Sequence, residues 1–280
     1  MELLQSSIPG SNGAILSCSH TTVNRNKPSI LIALPFGVPM SIAHSAFEKF
    51  EHSFNVVTWE SRFILNLDQA FSGNEKLAPA EHVGDMLCIL RALEIRSCYL
   101  IGYCSGAGIS LLAAREHPEL FSRLILVNGE YQLFRKGHVA TDYQRSIDSF
   151  LPVVATGRQQ AGLIFAKMAE IAKVSKEGTP QTALDQQINL PFSKQEYLFR
   201  YAKNYMAYRD YNALDVAQGV RQDTFVLTGR KDVHSNMENS EAVRAAIPGA
   251  KRFVDDNGDH YEFCRAGSST LAEIGAFLAN

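Results

Sequence analysis

The sequence predicts an α/β fold: a mostly parallel central sheet flanked by helices, with a helical cap inserted late in the chain. Three observations carry this. Short apolar runs of strand character alternate with amphipathic stretches of helical period, the pattern left by crossover connections between parallel strands. The alternation stops once, over residues 131–218, where helical patterns and loop signals take over. Finally, 280 residues at 46% hydrophobic content suffice for one large core, so residues 1–280 are expected to form a single domain with the 131–218 cap inside it.

Residues 1–23 read as an opening hairpin turning between Gly10 and Gly13. Residues 29–34 (SILIAL) form a buried strand, followed by the loop Pro35-Phe36-Gly37-Val38-Pro39 and a helix near 41–52. A strand at 54–59 (FNVVTW), an amphipathic helix at 79–95 and a strand at 97–101 (SCYLI) come next. A helix runs through Ile109, Leu111, Leu112 and Ala113, and a strand covers 123–127. Pro152, Gly178-Thr179-Pro180 and Pro191 mark loops within the cap. Strand rhythm returns at 224–228 (TFVLT), then a helix at 238–246, a last strand near 251–254 and a closing helix at 269–278.

Composition excludes several roles. A net charge of -2 and the lack of any Lys/Arg run leave no electrostatic footprint for nucleic acid. The first residues lack the basic and apolar regions of a signal peptide, and no apolar stretch approaches the roughly eighteen residues of a membrane span, so a soluble cytoplasmic protein is expected. Cys18, Cys88, Cys98, Cys104 and Cys264 are odd in number and lack the paired spacing of a disulfide framework or zinc site, so free thiols and no metal are expected. Cys88 and Cys98 fall in apolar patterns and read as small core residues. Cys104 alone has a reason to be exposed.

That reason is Gly102-Tyr103-Cys104-Ser105-Gly106. It lies between a strand and a helix and has the form of a nucleophile elbow, a sharp turn that presents its central side chain at the carboxyl edge of a sheet. Asp232 follows the strand at 224–228, and His260 follows the last strand in Asp256-Asn257-Gly258-Asp259-His260. The order is thus nucleophile, acid, histidine, with the cap filling the long first interval. In such a set the imidazole takes the thiol proton and the carboxylate orients the ring. Glu130, after the strand at 123–127, is the rival acid, and His234 reads as a solvated loop residue. His20, His44, His52, His82, His117 and His138 have no nameable partner. The position of Cys104 at a helix N-terminus is expected to lower its pKa.

An acyl-transfer site needs donors for the developing oxyanion. The backbone N–H of Ser105 is one by construction of the elbow, and the loop after Leu34 supplies the second from Val38, with Gly37 as runner-up. Phe36 and Tyr103 are candidate substrate contacts. Tyr197, Tyr201, Tyr205 and Tyr208 recur at helical spacing, either as packing within the cap or, chiefly through Tyr201 and Tyr205, as a wall over the acyl group. The cap carries eleven Lys/Arg against eight Asp/Glu, a mild preference for acidic partners.

Taken in order, Phe36-Gly37-Val38-Pro39, Gly102-Tyr103-Cys104-Ser105-Gly106, Asp232 and Asp259-His260 make the chain resemble the α/β-hydrolase superfamily over nearly its whole length. Phe36 stands where many such hydrolases have histidine. Among members with cysteine in the elbow, dienelactone hydrolases lack a long cap and polyester synthases are generally longer. Size, cap and cysteine together resemble the carrier-protein aminoacyltransferases of coronamic acid and syringomycin biosynthesis. The resemblance implies acyl or aminoacyl transfer between carrier proteins or thiolation domains in a nonribosomal peptide or polyketide type pathway. It implies an acyl-Cys104 intermediate and no cofactor beyond the partners' phosphopantetheine. A Cys-dependent thioesterase, esterase or lactonase with the same residues is the alternative, and a non-catalytic binder is disfavoured because all three positions are filled.

Overall fold

The computed structural model describes residues 3–134, 139–175 and 181–279. The hairpin β1 (Leu4–Pro9) and β2 (Ile15–His20) opens the chain, and β3 (Ser29–Ala33), α1 (His44–Phe50) and β4 (Asn55–Trp59) follow. Then come α2 (Pro79–Ala92), β5 (Cys98–Tyr103), α3 (Ser105–Glu116) and β6 (Phe121–Val127). Among the described residues, five α-helices separate β6 from the next strand: α4 (Asp142–Val154), α5 (Arg158–Ser175), α6 (Ala183–Ile188), α7 (Gln195–Tyr208) and α8 (Ala213–Ala217). The chain ends with β7 (Asp223–Gly229), α9 (Met237–Ala246), β8 (Lys251–Asp255) and α10 (Ser269–Ala279).

The strands among the described residues form one eight-stranded sheet in the order β1-β2-β4-β3-β5-β6-β7-β8. Only β2 runs antiparallel to its neighbours β1 and β4; the pairs from β4 through β8 are parallel. Both faces of the central strands are buried, which is why they read as continuous apolar runs. The period of two still sorts their side chains: Leu31, Val57, Leu100, Leu124 and Val226 join α2 and α3 in one core. Ile30, Ile32, Val56, Ile101, Ile125 and Phe225 join α1 and α10 in the other. Each fully buried Ile, Leu or Val contributes roughly 1.5–3 kcal/mol, so the two cores fix the register that brings the segments after β3, β5, β6, β7 and β8 together at the site.

Pro152 does not mark a loop. It lies in the last turn of α4, where its exposed ring forfeits a single helical bond and the helix still closes with the Ala155 N–H on the Leu151 carbonyl at 2.9 Å. Pro191 does sit in a short 3-10 turn, Leu190–Phe192, whereas Gly178-Thr179-Pro180 lies outside the described residues. The five cysteines are free. Among the described residues no helix is long and apolar enough to cross a membrane.

Candidate active site

The turn after β5 is held in the left-handed region: Cys104 has φ 54° and ψ -121°. For a non-glycine residue this costs about 1–3 kcal/mol, and it persists only where surrounding bonds over-determine it. Here the Cys104 N–H donates to the Val127 carbonyl at 3.0 Å, while the Cys104 carbonyl accepts from the N–H groups of Ala107 at 3.0 Å and Glu130 at 3.1 Å. A Cβ on Gly106 would lie 2.2 Å from the Ala33 carbonyl oxygen, so only glycine lets α3 start so close to β3. Two residues on, a Cβ on Gly108 would lie 1.9 Å from the Tyr208 hydroxyl, and that hydroxyl donates to the Glu130 carbonyl.

The acid and histidine loops meet beside this turn. His260 Nδ1 lies 2.8 Å from Asp232 Oδ2, with both side chains almost wholly buried. Asp232 also accepts from the Ser235 hydroxyl at 2.6 Å and from the N–H groups of His234 at 2.7 Å and Ser235 at 2.9 Å. Burial works against its charge, but His260 and Ser235 outweigh burial and hold the carboxylate below its ordinary range. An ionised acceptor there requires the proton on Nδ1, which leaves the Nε2 lone pair of His260 free. The His260 carbonyl is fixed in turn by the Tyr103 hydroxyl at 2.9 Å and Asn128 Nδ2 at 3.0 Å. Asn128 Nδ2 reaches the Asp259 carbonyl at 3.1 Å, and its Oδ1 accepts from the Gly229 N–H at 2.9 Å.

Cys104, Ser105 and His260 line a single cavity of about 50 Å³, covered by residues of the β6–β7 insertion. Phe36, Val38, Tyr103 and Tyr201 line it as well. Of the two oxyanion candidates in the 35–39 loop only Val38 is among these, since Gly37, at φ 73°, packs towards Pro191 and Ile64. The Phe36 N–H is taken by the Ser105 hydroxyl at 3.0 Å. Tyr103 is fully buried, with its ring against His260 and Phe263.

Tyr205 is not where a substrate contact was expected. Its hydroxyl donates to Asp148 at 2.7 Å within the insertion, and it does not line the cavity. The four-tyrosine face therefore divides: Tyr201 faces the site, Tyr205 bonds α4, Tyr208 reaches Glu130, and half-buried Tyr197 lies under Lys194. His234 also departs from expectation. It is half-buried, with its ring 4.8 Å from that of His260 and 4.3 Å from that of Tyr143, and Nε2 3.0 Å from the Tyr261 hydroxyl. Burial, with His260 adding to it, lowers its pKa to about 4. Thr141, which caps α4, donates to the His234 carbonyl at 3.1 Å and brings Tyr143 over the acid loop. Tyr143, Tyr261 and Asn128 carry no chemical motif in the sequence; the place of Asn128 directly after the strand that follows the elbow helix is the one signal that could have found it. His138 lies outside the described residues.

The expectation of a lowered thiol pKa is overturned. Burial, followed by the carboxyl groups of Glu130 and Asp232, pushes Cys104 well above its ordinary range, and the Ser105 N–H offsets only part of this. The dipole of one helix end is a local term, whereas desolvation and neighbouring charge arise from the tertiary fold. Glu130 is not bonded to His260; its Oε2 lies 3.9 Å from Cys104 Sγ, and its Oε1 is buried without a hydrogen-bond partner. Burial raises Glu130 to about 7, partly countered by His260. Asp232, His234 and His260 also present donor atoms within 4.8 Å of one another, but the Asp232–His260 contact already uses two of them.

Strand order, a tight turn after the fifth strand and a long interruption after the sixth are those of an α/β-hydrolase architecture. The chain belongs to that family: residues 62–264 match the alpha/beta hydrolase fold. It is 22% identical over 254 residues to an L-allo-isoleucyltransferase of Pseudomonas savastanoi pv. glycinea, covering 90% of this chain and 86% of that protein. Strigolactone esterase D14 of Arabidopsis thaliana is 31% identical over 100 residues, 35% of this chain and 37% of the esterase. Among solved structures, a hydrolase from Pseudomonas aeruginosa PA01 superposes with a TM-score of 0.75 at 17% identity, over 99% of this chain and 98% of that one. The enol-lactonase from Burkholderia xenovorans LB400 gives 0.73 at 16%, over 99% and 100%. At such identities the superpositions show the fold alone.

Proposed function

We propose that the protein is an acyl or aminoacyl transferase that moves a thioester-linked group from one carrier protein's phosphopantetheine thiol to another through an acyl-Cys104 intermediate. The observation that carries this reading is a cysteine in the elbow sharing a small covered cavity with the Asp232–His260 pair. The likeness to an L-allo-isoleucyltransferase over most of both chains supports it.

In the first half-reaction His260 Nε2 removes the Cys104 proton as Sγ bonds to the thioester carbonyl carbon. This assistance is required because burial and nearby carboxyl groups keep the resting thiol protonated. The tetrahedral oxyanion is met by the Ser105 N–H and, in this reading, the Val38 N–H. Collapse breaks the carbonyl–sulfur bond to pantetheine, whose thiolate takes the proton from His260. The second half-reaction runs the same steps in reverse order with the acceptor's thiol, returning the proton to Cys104. Each step exchanges one thioester for another, so transfer is close to isoenergetic and reversible. A serine ester would instead hold the group more firmly. In this reading the insertion residues that line the cavity serve to keep water from the intermediate.

The test is intact-mass spectrometry after exposure to a panel of acyl and aminoacyl carrier thioesters. The expected result is an adduct on Cys104 that is discharged by a second carrier protein and absent in Cys104→Ala. Release of free acid at the rate of deacylation, without acceptor, would identify a hydrolase instead. No adduct from any donor would remove both enzymatic readings.

A further inference from the structure

We propose that Glu130 receives the α-ammonium group of the acyl donor, so that the substrates of this site are aminoacyl thioesters with a free α-amine. The inference rests on the thioester-transfer reading above and narrows its substrate class. Glu130 is 7% exposed, lines the cavity and leaves Oε1 buried without a partner, although a buried carboxyl oxygen normally has one. Its other oxygen lies 3.9 Å from Cys104 Sγ. In an S-aminoacyl cysteine the nitrogen is three bonds from sulfur, about 3–4 Å away by ordinary bond lengths. The nitrogen and Oε2 then lie within about 4 Å of the same sulfur, and rotation about the acyl bonds towards Glu130 closes their separation to a hydrogen bond.

The rest of the cavity agrees in charge and size. No Lys or Arg is among the described residues lining it, and Glu130 is its sole carboxyl group. Tyr143 and Tyr201 supply aromatic rings on the insertion side, surfaces that favour a cation. A volume of about 50 Å³ holds a few water molecules, a scale that suits a compact aminoacyl group. Acylation also consumes the S–H that faces Glu130 in the free enzyme, so the carboxylate loses that donor at the moment the amine is delivered. A donor without the amine leaves Glu130 desolvated and unpaired, which discriminates against it.

Two pantetheine thioesters that differ only in the amine, L-valyl and 3-methylbutyryl, test the proposal. Acylation of Cys104 is followed by rapid quench and intact mass in the wild type, Glu130→Gln and Glu130→Asp. The wild type is expected to prefer the valyl donor by about 10²-fold, as loss of a charge-assisted bond implies. Glu130→Gln should erase that preference by slowing the valyl reaction relative to the 3-methylbutyryl one, and Glu130→Asp should retain part of it. Equal rates for the two donors in the wild type would overturn the ammonium site while leaving acyl transfer intact, and that comparison needs no variant. Equal slowing of both donors in Glu130→Gln would likewise overturn it. No adduct from either donor would overturn the thioester-transfer reading itself, and the ammonium site with it.

Discussion

Asn128 offers the most direct test of how the site is assembled, because one side chain ties the end of β6 to the loops carrying Asp232 and His260. Asn128→Ala removes three hydrogen bonds, to the Gly229 N–H and the carbonyls of Asp259 and His260. At about 1 kcal/mol each these amount to about 3 kcal/mol. Asn128 also sits at φ 43°, where asparagine is tolerated and alanine costs about 1 kcal/mol more. The expected loss is therefore about 4 kcal/mol for Asn128→Ala and about 3 kcal/mol for Asn128→Gly, which lacks the backbone penalty. The same change frees the His260 loop, so acylation of Cys104 should slow by about 10²-fold, the usual consequence of a misplacement near 1 Å. Urea unfolding measures the first quantity and single-turnover acylation the second. A loss below about 1.5 kcal/mol with an unchanged acylation rate would show that Tyr103 alone holds the loop and refute this account.

Three further outcomes are expected. Asp232→Asn should slow acylation by about 10³–10⁴-fold, since an amide can present N–H groups to His260 Nδ1 and fix the wrong tautomer; a pre-steady-state adduct assay reads this. Gly106→Ala should cost about 3 kcal/mol or more, seen as a lower urea midpoint, because its Cβ meets backbone that cannot yield. Glu130→Gln should be more stable than the wild type, increasingly so from pH 4.5 to 7. Across that window the unfolded wild-type chain releases the Glu130 proton while the folded chain keeps it until about pH 7, so stability contributed by this group falls as pH rises. The difference levels off above pH 7 at roughly 3 kcal/mol. His82 and His234, lowered to about 3 and about 4, act with the opposite sign below about pH 6.5 and cancel in the comparison. A flat difference between wild type and variant across the window would show that Glu130 is ionised in the fold.

What could be read in advance follows the range of the interactions. The strands and the order of Cys104, Asp232 and His260 are written in local patterns, because an apolar run and an elbow are decided within a few residues. Tyr143 reaches the acid loop only because Thr141 caps a helix of the insertion there, and no spacing in the sequence records that meeting. Tyr201 and Tyr205 looked equivalent on a helical face, yet Asp148 on another helix claims one of them. The thiol pKa failed for the same reason: helix position is visible in sequence, whereas burial beside Glu130 is a property of the assembled chain.

The contact among Gly108, Tyr208 and Glu130 sets where this chain can be cut and recombined. The Glu130 N–H supports the Cys104 carbonyl, its own carbonyl accepts from Tyr208, and the Tyr208 hydroxyl fills space that only glycine leaves on α3. Grafting a relative's insertion between Tyr131 and Asp223 would import a foreign residue at Tyr208 while keeping the host's Gly108. Functional chimeras should therefore inherit the three positions as one unit, and crossovers that separate them should perturb the peptide of Cys104 itself.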